Sequence, residues 1–115
     1  MIFDYKATKK NGINYYLLFG ELIDRNQATQ MLTDIDTAIA AGENKILLNL
    51  VDLKYINSSG LNILINILTK ARKAGGDVAI CNVNKKITEL LVITKLNSVF
   101  NVSDSEEKAQ AILNK

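Results

Sequence analysis

The segment from Lys45 to Val51 is a nearly continuous apolar run of strand length. A strand that is apolar at successive positions must be covered on both faces, which is typical of the centre of a sheet in an α/β protein. A second such run extends from Asp77 to Val83, and the segment between them, Leu61 to Ala74, has the length and apolar content of a helix. We therefore expect the second strand to return by a right-handed crossover and to lie parallel to the first.

Shorter patterns on either side of this unit add further strands and helices. Alternating residues from Ile2 to Thr8, followed by Asn11-Gly12, predict a hairpin into a strand at Tyr15 to Gly20. Val99 to Val102 is predicted as a short edge strand. Three more helices are predicted, in the ranges 24–41, 85–95 and 104–113. We expect one α/β domain over residues 1–115, with a mixed sheet of four to five strands and about four helices packed on it.

Capping patterns and apolar faces refine these helices. Asp24 with Gln27 forms a capping box for the first helix, and Ser103 with Glu106 forms another for the last. In the helix at 61–74 the polar face is narrow, so Ile63 and Ile67 are expected near its border and partly exposed, although deep burial of the whole helix would explain the same pattern. For the helix at 85–95, the residues expected to turn inward are Ile87, Leu90, Leu91 and either Val92 or Ile93.

Composition argues against most kinds of enzyme. Histidine is absent, which removes the usual general base and the commonest transition-metal ligand. Cys81 is the only cysteine, and its place in an apolar strand predicts a buried thiol. Neither a P-loop nor a Rossmann glycine pattern is present. We therefore expect a non-enzymatic protein with no catalytic residue, no metal site and no cofactor.

Charge and hydropathy patterning bear on partners and location. The net charge of +2 comes from 14 basic and 12 acidic residues that are scattered along the chain, without the basic block typical of a nucleic-acid binder. Asp4 and Lys6 interrupt the N-terminal segment where a signal peptide needs an apolar core, and no apolar run reaches membrane-spanning length. We expect a cytoplasmic protein that neither binds nucleic acid directly nor inserts into a membrane.

A serine pair, Ser58 and Ser59, follows a polar loop at 52–57 and stands where the next helix begins. Three interpretations are open. Either serine could accept a hydrogen bond from a free N–H group of the helix start and act only as a cap. A phosphate could be attached or bound there, because the helix dipole and the free N–H groups favour a negative charge. Finally, Ser58 could be a nucleophile with Asp52 or Lys54 as its base, the least supported of the three.

The residues around this pair resemble a known family. The segment 48–53, Leu-Asn-Leu-Val-Asp-Leu, followed by 56–61, Ile-Asn-Ser-Ser-Gly-Leu, is similar to the core signature of STAS domains, which occur in sulfate transporters and anti-sigma factor antagonists. Gly20-Glu21-Leu22, with Asp24 nearby, resembles the family's entry to its first helix, and 74–81 resembles its helix-to-strand return. The likeness covers essentially the whole chain and implies a single STAS-like domain.

A free-standing STAS domain of this length resembles the bacterial anti-sigma factor antagonists. The resemblance implies a protein that, when unphosphorylated, binds an anti-sigma factor that is also a serine kinase, so that a sigma factor is released. It implies that phosphorylation of Ser58 ends binding and that a serine phosphatase restores it. Ser59 and Gly60 would then serve the helix start, with Gly60 leaving room for a partner backbone. The residues expected to contact the partner are Asp24, Arg25, Asn26, Gln27, Tyr55, Ile56, Asn57, Ser58, Ser59, Gly60, Asn62 and Asn66.

The chain departs from the family pattern at two positions. Asn57 stands where many antagonists have an aspartate before the serine pair, and Ile23 places Asp24 one residue later than the usual spacing from Gly20. The resemblance also leaves an alternative function open. In that alternative the chain is a constitutive STAS scaffold subunit of a transporter or of a larger signalling assembly, and the same surface binds without a switch.

Overall fold

A five-stranded sheet with β3 at its centre forms the core of the computed structural model, which describes residues 2–114. The strands are β1 (Asp4–Lys10), β2 (Ile13–Leu22), β3 (Lys45–Ile56), β4 (Asp77–Cys81) and β5 (Asn101–Ser103). They lie in the order β1-β2-β3-β4-β5, with β1 antiparallel to β2 and every other neighbouring pair parallel. The predicted hairpin, the central strand, the parallel return and the edge strand are confirmed.

Four α-helices among residues 2–114 pack on this sheet. They are α1 (Thr29–Ala40), α2 (Ser58–Lys73), α3 (Lys85–Ile93) and α4 (Glu106–Leu113). A single turn of 3₁₀ helix at Arg25–Ala28 leads directly into α1, and a second one lies at Leu96–Ser98. The predicted class, an α/β domain with a mixed sheet and about four helices, is therefore correct.

The sheet is covered on both faces, as the apolar run of β3 predicts. Ile46 and Leu48 belong to a large core cluster that also contains the inward residues of α1, α2 and α3. Leu47, between them, belongs to a smaller cluster with Ala109 and Leu113 of α4 on the opposite face. Alternate residues of β3 thus enter two separate cores, which is why its sequence is apolar at successive positions.

Strand β3 is longer than predicted because it contains two bulges. The prediction ended the strand at Val51 and placed a polar loop at 52–57, whereas pairing with β2 continues to Ile56. Between the pairs Leu17–Asn49 and Phe19–Asp52, and again between Gly20–Leu53 and Glu21–Tyr55, β3 has one residue more than β2. Each extra residue reverses the alternation of the strand. The inward residues are consequently three apart, which looks irregular in the sequence; they are Leu50, Leu53 and Ile56.

Of the two interpretations of α2, deep burial is confirmed: Ile63 and Ile67 are fully buried, because α2 packs against both the sheet and α1. Two predictions about α3 and α4 were wrong. In α3 the inward position goes to Leu91, and since successive helical residues point about 100° apart, Val92 and Ile93 are exposed. The last helix is capped by Ser105, which accepts a hydrogen bond from Lys108 N at 3.2 Å, because Ser103 belongs to β5.

The start of α2 packs directly against the end of β2. A Cβ atom added to Gly60 would lie 2.2 Å from the carbonyl oxygen of Leu22 and 2.5 Å from Cγ1 of Ile56. Only glycine allows the helix to approach the strand this closely. The approach fixes the first turn of α2 relative to the chain segment that follows β2.

Replacing this glycine is expected to destabilise the domain. Gly60→Ala should lower the free energy of unfolding by at least about 2 kcal/mol, because the new methyl group meets a backbone oxygen that cannot move aside. The neighbouring exposed substitution Ser59→Ala should stay within about 0.5 kcal/mol of the parent. Urea unfolding followed by circular dichroism measures both. An unchanged midpoint for Gly60→Ala would contradict the close packing.

Candidate partner-binding site

Three loops meet at one edge of the sheet. Strands β2, β3 and β4 are parallel, so their carboxyl ends lie on the same side, where α/β sheets commonly bind ligands. The last residues of β2 and β3, Leu22 and Ile56, are register partners. The loop with Asp24 and the loop with Ser58 are therefore neighbours, as expected if the contact residues predicted from the sequence form one surface. The chain after β4 joins them through Asn84, whose side-chain amide donates to Leu53 O at 3.0 Å.

Asn57, not a serine, caps α2. Its Oδ1 atom accepts a hydrogen bond from Gly60 N at 3.0 Å, and its backbone is extended, as expected of an N-cap residue. Its Nδ2 group donates to the carbonyl oxygen of Ile23 at 3.1 Å. An aspartate could keep the cap but could not make this second bond. The two residues that depart from the family pattern, Asn57 and Ile23, are thus linked by a hydrogen bond.

The interpretation of Ser58 or Ser59 as the helix cap is therefore wrong. The two serines are the first two residues of α2, both are exposed, and neither hydroxyl has a hydrogen-bond partner among residues 2–114. They stand at the positive end of a helix of 16 residues that has no acidic residue in its first turn. A negative charge on either serine would be stabilised there by the helix dipole.

The segment Asp24–Gln27 forms a braced turn beside the serines. Oδ1 of Asp24 accepts from Asn26 N at 2.9 Å, while Oε1 of Gln27 accepts from Ile23 N at 2.9 Å and from Asp24 N at 3.0 Å. The predicted capping box is confirmed, although the helix that it opens is the 3₁₀ turn before α1. Asp24, Arg25 and Asn26 remain exposed to solvent, and Gln27 is half-buried.

The other predicted contact residues divide into exposed and buried groups. Tyr55 is 44% exposed, Asn62 is exposed, and Asn66 is half-buried on the same side of α2. Ile56 and Gly60 are buried, unlike the exposed contact residues that were expected, although Ile56 still lines a groove beside Ser58. Ile56 is 3% exposed because the second bulge turns its side chain into the core, and the space beside Gly60 holds Leu22 O of the same chain instead of a partner backbone.

Ser58 and the residues considered as its base line different hollows. Asp52 and Lys54 line a shallow hollow with Phe19 on β2, whereas Ser58 lines a groove next to α3. Burial raises the pKa of the Cys81 thiol to about 11, which keeps it protonated at neutral pH. Residues 2–114 contain no group of three or more acidic or cysteine side chains that could hold a metal ion, and no helix long and apolar enough to cross a membrane.

The sequence analysis missed a groove beside Ser58. It has a volume of about 380 Å³ and lies between the end of β3 and one side of α3. Its lining residues are Tyr55, Ile56, Asn57, Ser58, Lys86, Ile87, Glu89, Leu90 and Ile93. The available signal was the run from Leu90 to Ile93: four successive apolar residues cannot all face inward on one helix, so some had to be exposed.

Comparison with known proteins identifies relatives of this chain. A family model described as the STAS domain matches residues 4–109. The anti-sigma F factor antagonist of Paenibacillus polymyxa is 29% identical over 99 residues, which is 85% of this chain and 84% of that protein. These matches agree with the motifs at 48–61 and extend the likeness over nearly the whole domain.

Solved structures show the same fold. One from Thermotoga maritima, described as a candidate anti-sigma factor antagonist, has a TM-score of 0.87 and 24% identity, over 96% of this chain and 95% of that one. The Bacillus cell-fate determinant SpoIIAA in its phosphorylated form has a TM-score of 0.75 and 20% identity, over 95% of this chain and 99% of that one. At these identities the structural likeness establishes the fold alone.

Loss of the Asn57 side chain is expected to loosen the site. Asn57→Ala removes the cap of α2 and the bond to Ile23 O together, and should lower the free energy of unfolding by about 1–2 kcal/mol. Asn26→Ala is a matched control, since the Asn26 side chain is exposed and makes no hydrogen bond within residues 2–114. It should change the free energy by less than about 0.5 kcal/mol. Equal urea midpoints for the two variants would contradict the role assigned to Asn57.

Proposed function

The chain belongs to the STAS domain family, and from that premise we propose that it is an anti-sigma factor antagonist. In its unphosphorylated form it binds an anti-sigma factor that is also a serine kinase, and a sigma factor is thereby released. The observation that carries the proposal is the position of Ser58. It is an exposed serine on the first turn of α2, whose hydroxyl makes no hydrogen bond to the described chain, in the middle of the loops that meet at one sheet edge.

We use the term contact surface for the exposed or half-buried residues that surround Ser58. It consists of Asp24, Arg25, Asn26, Gln27, Tyr55, Asn57, Ser58, Ser59, Asn62 and Asn66. The surface mixes amide, hydroxyl and charged groups with one aromatic ring. Such a mixture suits a reversible protein contact better than a permanent one, since obligate interfaces are more apolar.

Phosphorylation of Ser58 would change the charge of this surface without changing the fold. A phosphoserine carries about −1.5 to −2 charges at pH 7, and the positive end of α2 would stabilise it. Because the Ser58 hydroxyl has no partner among the described residues, the phosphate replaces no internal bond. Binding is lost through like-charge repulsion and the cost of desolvating the phosphate at the interface. Removal of the phosphate by a serine phosphatase restores the contact surface.

The acceptor and the switch can be tested together. Incubation with ATP and each candidate anti-sigma kinase of the host, followed by mass spectrometry, should place one phosphate on Ser58. Phosphorylation should disappear in Ser58→Ala and persist in Ser59→Ala. The affinity of Ser58→Asp for the kinase should fall at least about tenfold, because the new charge lies inside the interface.

The same measurements separate this function from the alternative. If Ser58→Asp binds its partner as tightly as the parent and no kinase modifies the chain, the phosphorylation switch is wrong. The contact surface would then bind constitutively, as a STAS scaffold subunit of a transporter or signalling assembly would.

A further inference from the structure

Helix α3 presents two different sides. Ile87 and Leu91, four residues apart, turn into the core and are almost completely buried. A second stripe, formed by Lys86, Glu89, Leu90 and Ile93 at the spacing i, i+3, i+4 and i+7, lines the groove beside Ser58. Helical residues at this spacing share one face. The groove therefore has a continuous wall, of which Leu90 also packs against the core while Lys86, Glu89 and Ile93 are exposed.

The exposed apolar residues of this wall are large. Ile93 is 78% exposed and Tyr55, across the groove, is 44% exposed. Between them the floor is apolar, since Ile56 and Ile87 contribute buried side chains. Single exposed apolar side chains are common, but here they surround one concave site of about 380 Å³. That volume accommodates a leucine or phenylalanine side chain.

Two unpaired charges stand on the groove wall. Lys86 and Glu89 are exposed and are three residues apart on α3, and neither side chain forms a hydrogen bond or ion pair with another residue in the range 2–114. A partner segment with an acidic group opposite Lys86 and a basic group opposite Glu89 would be complementary to this wall. Such pairs fix orientation and exclude wrong partners more than they add affinity.

We propose that this groove is a specificity pocket for the anti-sigma factor, and that it receives one large apolar side chain flanked by an acidic and a basic residue. The proposal rests on the proposed function and extends its contact surface onto α3. Ser58 lines both the contact surface and the groove, so a phosphate there would repel the acidic flank of the bound segment. The switch and the specificity pocket would then act on the same segment of the partner.

A neighbouring stripe of α3, outside the groove, supplies matched controls. Val92, 54% exposed, and Lys85, also exposed, are next to Ile93 and Lys86 in the chain but do not line the groove. Ile93→Ser and Val92→Ser make equivalent changes to one helix end, and Lys86→Glu and Lys85→Glu make equivalent changes to its first turn. Circular dichroism of the four variants establishes that each is folded.

The probe is the anti-sigma kinase that modifies Ser58 or binds the parent chain, with affinities measured by titration calorimetry. Ile93→Ser and Lys86→Glu should each raise the dissociation constant about tenfold or more, as expected when an anchor pocket or its charge complement is lost. Val92→Ser and Lys85→Glu should change it less than about threefold, as expected of residues outside the contact.

Other binding results would contradict either the pocket or the proposed function. If Ser58→Asp prevents binding while Ile93→Ser binds like the parent, the groove is not the pocket, although the proposed function stands. If both members of a matched pair weaken binding equally, the effect does not belong to the groove and the proposal fails. If no anti-sigma kinase binds the parent chain, the proposed function fails and the pocket fails with it.

Discussion

The junction between the start of α2 and the end of β2 determines the geometry of the whole contact surface. Gly60 lies against the carbonyl oxygen of Leu22, and Asn57 binds Ile23 O through Nδ2 and Leu22 O through its backbone N–H group, at 3.1 and 3.4 Å. Each hydrogen bond contributes only about 1 kcal/mol, but together with the close packing they connect two loops that are more than 30 residues apart. Ser58 is thereby held beside the turn at Asp24–Gln27.

This junction explains how a small modification could control a protein contact. The hydrogen bonds that shape the serine loop use the side chain of Asn57 and backbone groups, and they leave both serine hydroxyls in solvent. A surface that is already ordered loses little conformational entropy on binding. In the proposed switch, a phosphate on Ser58 would act by charge and desolvation at this position.

The sequence was sufficient for the architecture but not for the details of the site. The segments 45–51 and 77–83 predicted the sheet centre correctly, because a strand that is buried on both faces is apolar at successive positions. The end of β3 was missed because two bulges disturb that pattern, and Ile56 was consequently assigned to the surface. The roles of Asn57 and Gly60 depend on Leu22 and Ile23, distant in sequence, which local propensity cannot reveal. The groove on α3 was missed because Val92 or Ile93 was expected to face inward, whereas Ile93 is exposed and lines the groove.

The central claim is that the partner binds at the carboxyl edge of the parallel strands, around Ser58. Amide hydrogen exchange of the free chain and of its complex with the anti-sigma kinase tests this most directly. The account predicts slower exchange in the complex at 23–27, at 57–62 and along α3, with α4 and β1 unchanged. Protection confined to α4 or β1, with exchange around Ser58 unaltered, would contradict it.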